Sequence, residues 1–204
     1  MNNLQKLINN QRRIGLTGGI ASGKSTIANY IREHKKILVL DADDLSKELI
    51  KPNTIGYKKI VYYFGNHIID QNSSEKIINR KLLKNIIFEN DIDRTWIEKL
   101  LHPLIKEKMI EKCSQYKNNQ IILLVIPLLF EAKFEDICTE IWLVKCPKII
   151  QITRLMKRDK ISKKEASKII NLQMQYGEKT KFADFILDNS NNLDEWINKI
   201  KKLI

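Results

Sequence analysis

Apolar residues along this chain follow two patterns: short unbroken aliphatic runs, and longer stretches in which they recur every three or four positions. Residues 12–17 are a short apolar segment ending in a glycine-rich turn, and residues 25–33 follow with Ile27 and Ile31 four apart. Together they predict a strand, a loop and a helix, in that order. Residues 36–40 (KILVL) are too short and too uniformly aliphatic for a helix, and predict a second, buried strand that stops at Asp41. From Ala42 to Tyr116 the spacing turns helical, with apolar positions recurring through 45–50, 55–64, 82–88 and 96–110. Two more buried strands, 120–125 (QIILLV) and 140–145 (EIWLVK), give out at Pro127 and Pro147. A helix is predicted over 147–158, and Ser162 with Glu165 three residues on gives a capping box for another over 163–174. Residues 183–187 read as a fifth strand. The last helix is amphipathic, with Leu193, Trp196, Ile197 and Ile200 among its apolar positions.

Short strands separated by helices predict a parallel sheet covered on both faces, which binds its ligands at the carboxyl ends of the strands. The helical block between the second and third strands is longer than a crossover needs, and reads as an inserted substrate-binding region. A length of 204 residues fits one domain with insertions, at about 150 residues per domain. A composition of 43% hydrophobic and 29% charged residues sets aside a disordered, collagen-like or disulfide-scaffold chain. No apolar run approaches the roughly 20 residues needed to cross a bilayer, since the run from Ile121 is broken by Pro127, Glu131 and Lys133. A soluble protein is therefore expected. Residues 1–13 lack the apolar stretch of a secretion signal, and Cys113, Cys138 and Cys146 cannot all pair within one chain, which points to the reducing cytoplasm. Thirty-six Lys and Arg against 24 Asp and Glu give a formal charge of +12, which would attract any polyanion from a nucleotide to RNA. The cations are mostly Lys spread through an Ile- and Asn-rich chain, so compositional bias accounts for the charge equally well.

The first candidate chemistry lies between the first strand and its helix. Residues 18–25 (GGIASGKS) match the spacing G-x-x-x-x-G-K-S/T. Glycines let the backbone turn tightly and present N–H groups to phosphate oxygens, while the helix that follows adds the positive end of its dipole. Lys24 would reach the β and γ phosphates, and the Ser25 hydroxyl would ligate magnesium. The alternative is a glycine turn followed by a solvated lysine. Beyond the second strand stand Asp41 and Asp43, where an acidic group could orient an acceptor hydroxyl and take its proton. Asp41 suits the N-cap of the next helix. Asp43, one step inside that helix, is the better catalytic candidate.

Taken together, TGGIASGKST at residues 17–26, DAD at 41–43, LLHP at 100–103 and PLLFE at 127–131 resemble the dephospho-coenzyme A kinases in order and separation, over a stretch from Ile14 to Asn189. That family transfers the γ-phosphate of ATP to the ribose 3'-hydroxyl of dephospho-coenzyme A. The resemblance implies an α/β fold of P-loop kinase type within a single domain spanning 1–204. It would have a five-stranded parallel sheet in a nucleotide-binding core of residues 11–44 and 117–204. A helical acceptor-binding insertion would cover 45–116 and a helical lid 148–182.

The same resemblance assigns roles. It implies that Gly18, Ala21, Ser22, Gly23, Lys24, Ser25 and Thr26 hold ATP, that Lys24 takes part in catalysis, and that Ser25 is the protein's ligand to Mg2+. Asp43 resembles the general base and also meets the acceptor. Arg154 resembles a lid arginine that folds over the transferring phosphoryl group, where a planar cation neutralises developing charge. Arg158 would assist from one turn later; a solvated basic helix face is the plain alternative for both. Arg80, His102, Pro127, Leu128 and Glu131 are placed at the acceptor. Read as a residue alone, His102 suits a kink before Pro103 and Arg80 a helix surface. Asn189 falls in a loop, Asp188 to Ser190, that resembles the family's closing loop near the adenine, where Asn191 replaces the usual glycine. Trp96 and Trp196 read as packing residues, and residues 1–10 as without chemistry. The expected partner is dephospho-coenzyme A, with no nucleic acid and no membrane, for a monomer or weak homo-oligomer. A switch GTPase would need an N-K-x-D element, which is missing, and a nucleic-acid-binding ATPase would need interleaved aromatic and basic residues.

Overall fold

The inner strands of this protein form where an aliphatic run is shielded on both faces. The computed structural model describes residues 11–116, 120–190 and 193–204. Within these, β1 (Arg12–Gly18), β2 (Leu38–Asp41), β3 (Ile121–Val125), β4 (Glu140–Lys145) and β5 (Phe185–Asp188) make one sheet in the order β2-β3-β1-β4-β5. Every pairing is parallel, and the central strand β1 sets Leu16 between Val125 of β3 and Trp142 of β4. This is the five-stranded α/β sheet that the alternation of runs predicts. A parallel sheet covered on both faces has no solvated side, which is why its strands show continuous rather than alternating apolar residues.

The chain divides into two compact units: Ala42–Cys113, and the sheet unit, which runs through Asp41 and resumes at Ser114. In the sheet unit, α1 (Lys24–Lys35) contributes Ile27, Ala28 and Ile31 to a buried cluster with Ile14, Leu16, Leu123 and Val125. Trp142 and Trp196 belong to the same cluster and are 0% and 2% exposed. A large apolar side chain taken out of water contributes roughly 1.5–3 kcal/mol.

In the helical unit, α2 (Ala42–Leu49), α3 (Ile55–Phe64), α4 (Arg80–Glu89) and α5 (Asp91–Ser114) surround a core of Ile50, Ile60, Ile68, Ile78, Leu83 and Ile97. Thr54 caps α3 by accepting from the Tyr57 N–H, and Asn79 caps α4 by accepting from the Leu82 N–H. Trp96 packs there as expected, stacked on Tyr63 at 3.9 Å between ring centroids. Pro103 lies inside the 24-residue helix α5, which continues through it.

The sheet unit is completed by α6 (Lys148–Asp159), α7 (Lys163–Asn171), the short α8 (Tyr176–Lys179) and α9 (Leu193–Leu203). The Ser162–Glu165 capping box forms in both directions: the Glu165 N–H donates to Ser162 Oγ at 3.2 Å, and the Ser162 N–H donates to Glu165 Oε2 at 2.8 Å. Of the boundaries that differ from expectation, two have clear local reasons. Lys36, at the C-terminal cap of α1, takes a left-handed φ of 52°, so β2 starts two residues later than the aliphatic run. α7 stops at Asn171, three residues early, because the Gln173 side chain and the Met174 N–H are drawn to other partners. Residues 1–10 and Asn191 lie outside the described residues. Among the described residues no helix is long and apolar enough to cross a membrane.

Candidate active site

β1 ends at Gly18, the chain turns through residues 19–23, and α1 begins at Lys24. The turn is closed by the Ser22 N–H donating to Gly19 O at 3.1 Å. Gly23 caps α1 with φ 97°, and a Cβ there would fall 1.9 Å from Asn189 Nδ2, so the position admits no side chain. It therefore offers no oxygen to the first N–H groups of the helix, and α1 has no acidic residue in its first turn. Such a helix start is a site for an anion, with the dipole adding to the exposed donors. Lys24 is buried, and its Nζ donates to Gly18 O at 2.8 Å and Gly19 O at 2.9 Å, which folds it over its own loop. The Ser22 hydroxyl is fully buried with no hydrogen-bond partner among the described residues, while Ser25 and Thr26 are exposed in the first turn of α1.

Two residues from distant parts of the chain meet this loop. Asn189, just past β5, donates from Nδ2 to Ser22 O at 2.8 Å. Arg154 of α6 reaches Ser22 O and Asn189 O, each at 3.5 Å. Its guanidinium also lies 3.6 Å from Cys146 Sγ; burial pushes that thiol's pKa up, against the pull of the Arg154 charge. At the end of β5, burial works against ionisation of Asp188, but hydrogen bonds from Lys145 and Ser190 outweigh it and hold the carboxyl below its ordinary range. Arg158 is exposed and pairs with Asp159 at 2.7 Å.

The lid helices are built onto the loop itself. Ile152, Leu155, Ala166 and Ile170 of α6 and α7 form a cluster against which Ile20 and Ala21 pack. Gln151 donates to Cys146 O at 2.7 Å and crowds Gly19. The Ile20 N–H donates to Gln173 Oε1 at 2.7 Å. A cavity of about 200 Å³ lies beside Gly19, walled by Cys146, Gln151, Gln173, Tyr176 and Lys179. Gln151, Gln173 and Lys179 were not anticipated from the sequence, because each meets its partner through the fold and no contiguous motif contains them.

The remaining candidates fall into two groups. Pro127 and Leu128 are half-buried just after β3, and Thr17 Oγ1 donates to Pro127 O at 3.3 Å. Glu131, expected at the acceptor, also meets the segment 174–179 through one carboxylate oxygen: Oε1 accepts from the Met174 N–H at 3.0 Å and lies 2.9 Å from Lys179 Nζ. Asp43, Arg80 and His102 all belong to the helical unit. Asp43 is exposed in the first turn of α2, Arg80 is exposed at the start of α4, and His102 is half-buried in α5. Asp41 closes β2 directly before α2 opens.

A parallel sheet in this order, with such a loop between its central strand and first helix and a helical lid packed on it, defines a P-loop kinase, an enzyme that uses ATP. The sequence profile of dephospho-CoA kinase matches residues 12–195. A dephospho-CoA kinase of Prochlorococcus marinus (strain MIT 9312) is 70% identical over 205 residues, covering 100% of both chains. Among solved structures, TT1252 from Thermus thermophilus superposes with a TM-score of 0.77 at 26% identity, covering 95% of this chain and 96% of that one. Dephospho-CoA kinase from Campylobacter jejuni gives 0.68 at 29%, covering 95% and 97%. The chain belongs to the dephospho-CoA kinase family.

Proposed function

We propose that this protein transfers the γ-phosphoryl group of ATP to the ribose 3'-hydroxyl of dephospho-CoA, giving CoA and ADP, the last step of CoA biosynthesis. The observation that carries this reading is the loop of residues 18–25, where an uncapped helix start and a buried lysine converge on one anion-sized turn. In the reaction the acceptor oxygen bonds to the γ-phosphorus as the bond to the bridging β–γ oxygen breaks, and the hydroxyl proton passes to a carboxylate. Asp43, exposed at the start of α2, is that carboxylate. Lys24 exchanges the carbonyls of Gly18 and Gly19 for phosphate oxygens. Arg154, delivered by α6 to the edge of the loop, offsets charge on the transferring group, with Arg158 one turn behind. Asn189, joined to Ser22, marks the nucleoside end of the ATP site. Arg80, His102, Pro127 and Leu128 contact the acceptor.

Mg2+ fits this donor set. Among the described residues no group of three His, Cys, Asp or Glu could cage an ion, and the exposed hydroxyl of Ser25 stands in the first turn of α1, directly after Lys24. Magnesium keeps several waters and takes phosphate oxygens, so one protein oxygen suffices. When bound there it neutralises phosphate charge and fixes the triphosphate's orientation. In this reading the formal charge of +12 serves the polyanionic nucleotide substrates, with no nucleic-acid partner.

The test is ADP release measured with dephospho-CoA, pantetheine phosphate, adenosine and common nucleoside monophosphates as acceptors. Turnover is expected with dephospho-CoA, and a preference for a nucleoside monophosphate would overturn the assignment.

A further inference from the structure

Lysine is almost never fully buried unless it is paired. Lys179, at the end of α8, is 1% exposed, among the largest fully buried side chains of the protein. Its one ion-pair partner among the described residues is Glu131, 2.9 Å away, and the approach is off the line of an aligned hydrogen bond, so charge holds the pair. The other carboxylate oxygen, Glu131 Oε2, is buried without a hydrogen-bond partner among the described residues. A buried pair satisfied this incompletely is a poor source of stability, and an apolar pair of similar volume would serve the fold as well or better. What the pair supplies is position.

Glu131 stands on a rigid base. The loop after β3 is fastened to β1 by the Ile126 N–H to Leu16 O and by Thr17 Oγ1 to Pro127 O, and it is closed on itself by the Phe134 N–H to Leu129 O. From that base the carboxylate grips the chain returning from the lid at two points, the Met174 N–H and Lys179 Nζ. Gln173, the residue immediately before Met174, reaches across to accept the Ile20 N–H of the phosphate loop. The return segment 173–179 is thus a strap between the loop after β3 and the phosphate loop, and the buried pair sets its register.

We propose that Lys179 is a positioning residue for phosphoryl transfer: paired with Glu131, it fixes the strap so that Gln173 holds the phosphate loop in the shape that receives ATP. The inference deepens the kinase reading above and rests on it. It acts on the nucleotide side, because the group it controls is a backbone donor of the phosphate loop.

The test compares Lys179→Met, Lys179→Arg, Gln173→Ala and the double variant Lys179→Met/Gln173→Ala with the unaltered protein. Two readouts are used: ATP binding by calorimetry without acceptor, and the separate KM values for ATP and dephospho-CoA. Losing the held N–H is expected to weaken ATP binding about tenfold in Lys179→Met and in Gln173→Ala, the scale of one well-placed hydrogen bond. The acceptor KM should stay within about twofold, and the double variant should be little worse than either single one, because both act through one contact. Lys179→Arg keeps the charge and should recover most of the affinity. Lys179→Met melting early yet binding ATP normally would reduce the pair to a structural role and overturn the proposal. Should Lys179→Met not fold, Gln173→Ala decides, and unchanged ATP affinity there overturns it equally. If the unaltered protein binds ATP but does not turn over dephospho-CoA, the acceptor assignment fails, and the ATP isotherms still decide the role of Lys179.

Discussion

The buried residues around the phosphate loop and the exposed candidates of the helical unit stand under opposite physical conditions. Around the loop Ser22, Lys24 and Asn189 are buried and already engaged with backbone or enclosed by it, so their positions are settled before any ligand arrives. In the helical unit Asp43 and Arg80 stand exposed at the starts of helices. Groups of the first kind act by preorganisation, and their removal affects binding and local structure together. Exposed groups act only when a substrate displaces their water, and their removal should change the rate while leaving the fold and nucleotide binding intact. The division of labour within the enzyme therefore predicts distinct mutational signatures.

Lys24→Ala should have the largest effect. It removes the proposed charge-assisted phosphate contact and opens two loop carbonyls, and a loss of about 10³-fold or more in kcat/KM is expected. Near-normal turnover would break the contrast at its strongest point. Asp43→Asn should lose about 10²–10⁴-fold in kcat, with ATP affinity by calorimetry unchanged. A loss confined to ATP affinity would instead put Asp43 on the nucleotide side. Arg154→Lys should cost about tenfold in kcat, since a point charge cannot reproduce the planar fork that spans Ser22 O and Asn189 O. Unchanged steady-state kinetics would take Arg154 out of the transition state.

The smallest effect concerns the lid alone. Ser162→Ala removes the cap of α7 and should lower the melting temperature by about 2–4 °C. The Ser162 hydroxyl, and after it the Ser162 N–H, hold the Glu165 carboxyl below its ordinary pKa. A carboxylate depressed in this way contributes stability above its unfolded value of about 4.3, and loses it as pH falls through the lower folded value. The melting-temperature gap between Ser162→Ala and the unaltered protein should therefore narrow on acidification through that range. A gap independent of pH would leave the hydroxyl without its effect on Glu165.

How far the sequence reveals this molecule depends on where each residue's partner lies. The three inner strands are the most legible, because a strand buried on both faces writes itself as a contiguous aliphatic run, whereas the edge strands β2 and β5 are only partly buried. The phosphate loop is legible because its spacing is short and its chemistry is carried by glycines and one lysine. The strap is not legible: Ile20 meets Gln173 across 153 residues and Glu131 meets Met174 across 43. Hydrophobic periodicity carries α7 on to Met174, and cannot register that Gln173 is drawn to the phosphate loop. Glu131 shows the same limit from the other side, since its motif marks it as important while its partners, Met174 and Lys179, come from elsewhere in the chain.

The placement of the tryptophans has a practical consequence. Trp142 and Trp196 are sealed within the sheet unit, whereas Trp96 lies partly buried in the helical unit, stacked on Tyr63. Each unit thus carries its own fluorophore, and the two kinds of surroundings are expected to separate their emission, shorter in wavelength for the sealed pair and longer for Trp96. A titration followed at the red edge of the spectrum would report on the helical unit without any added dye.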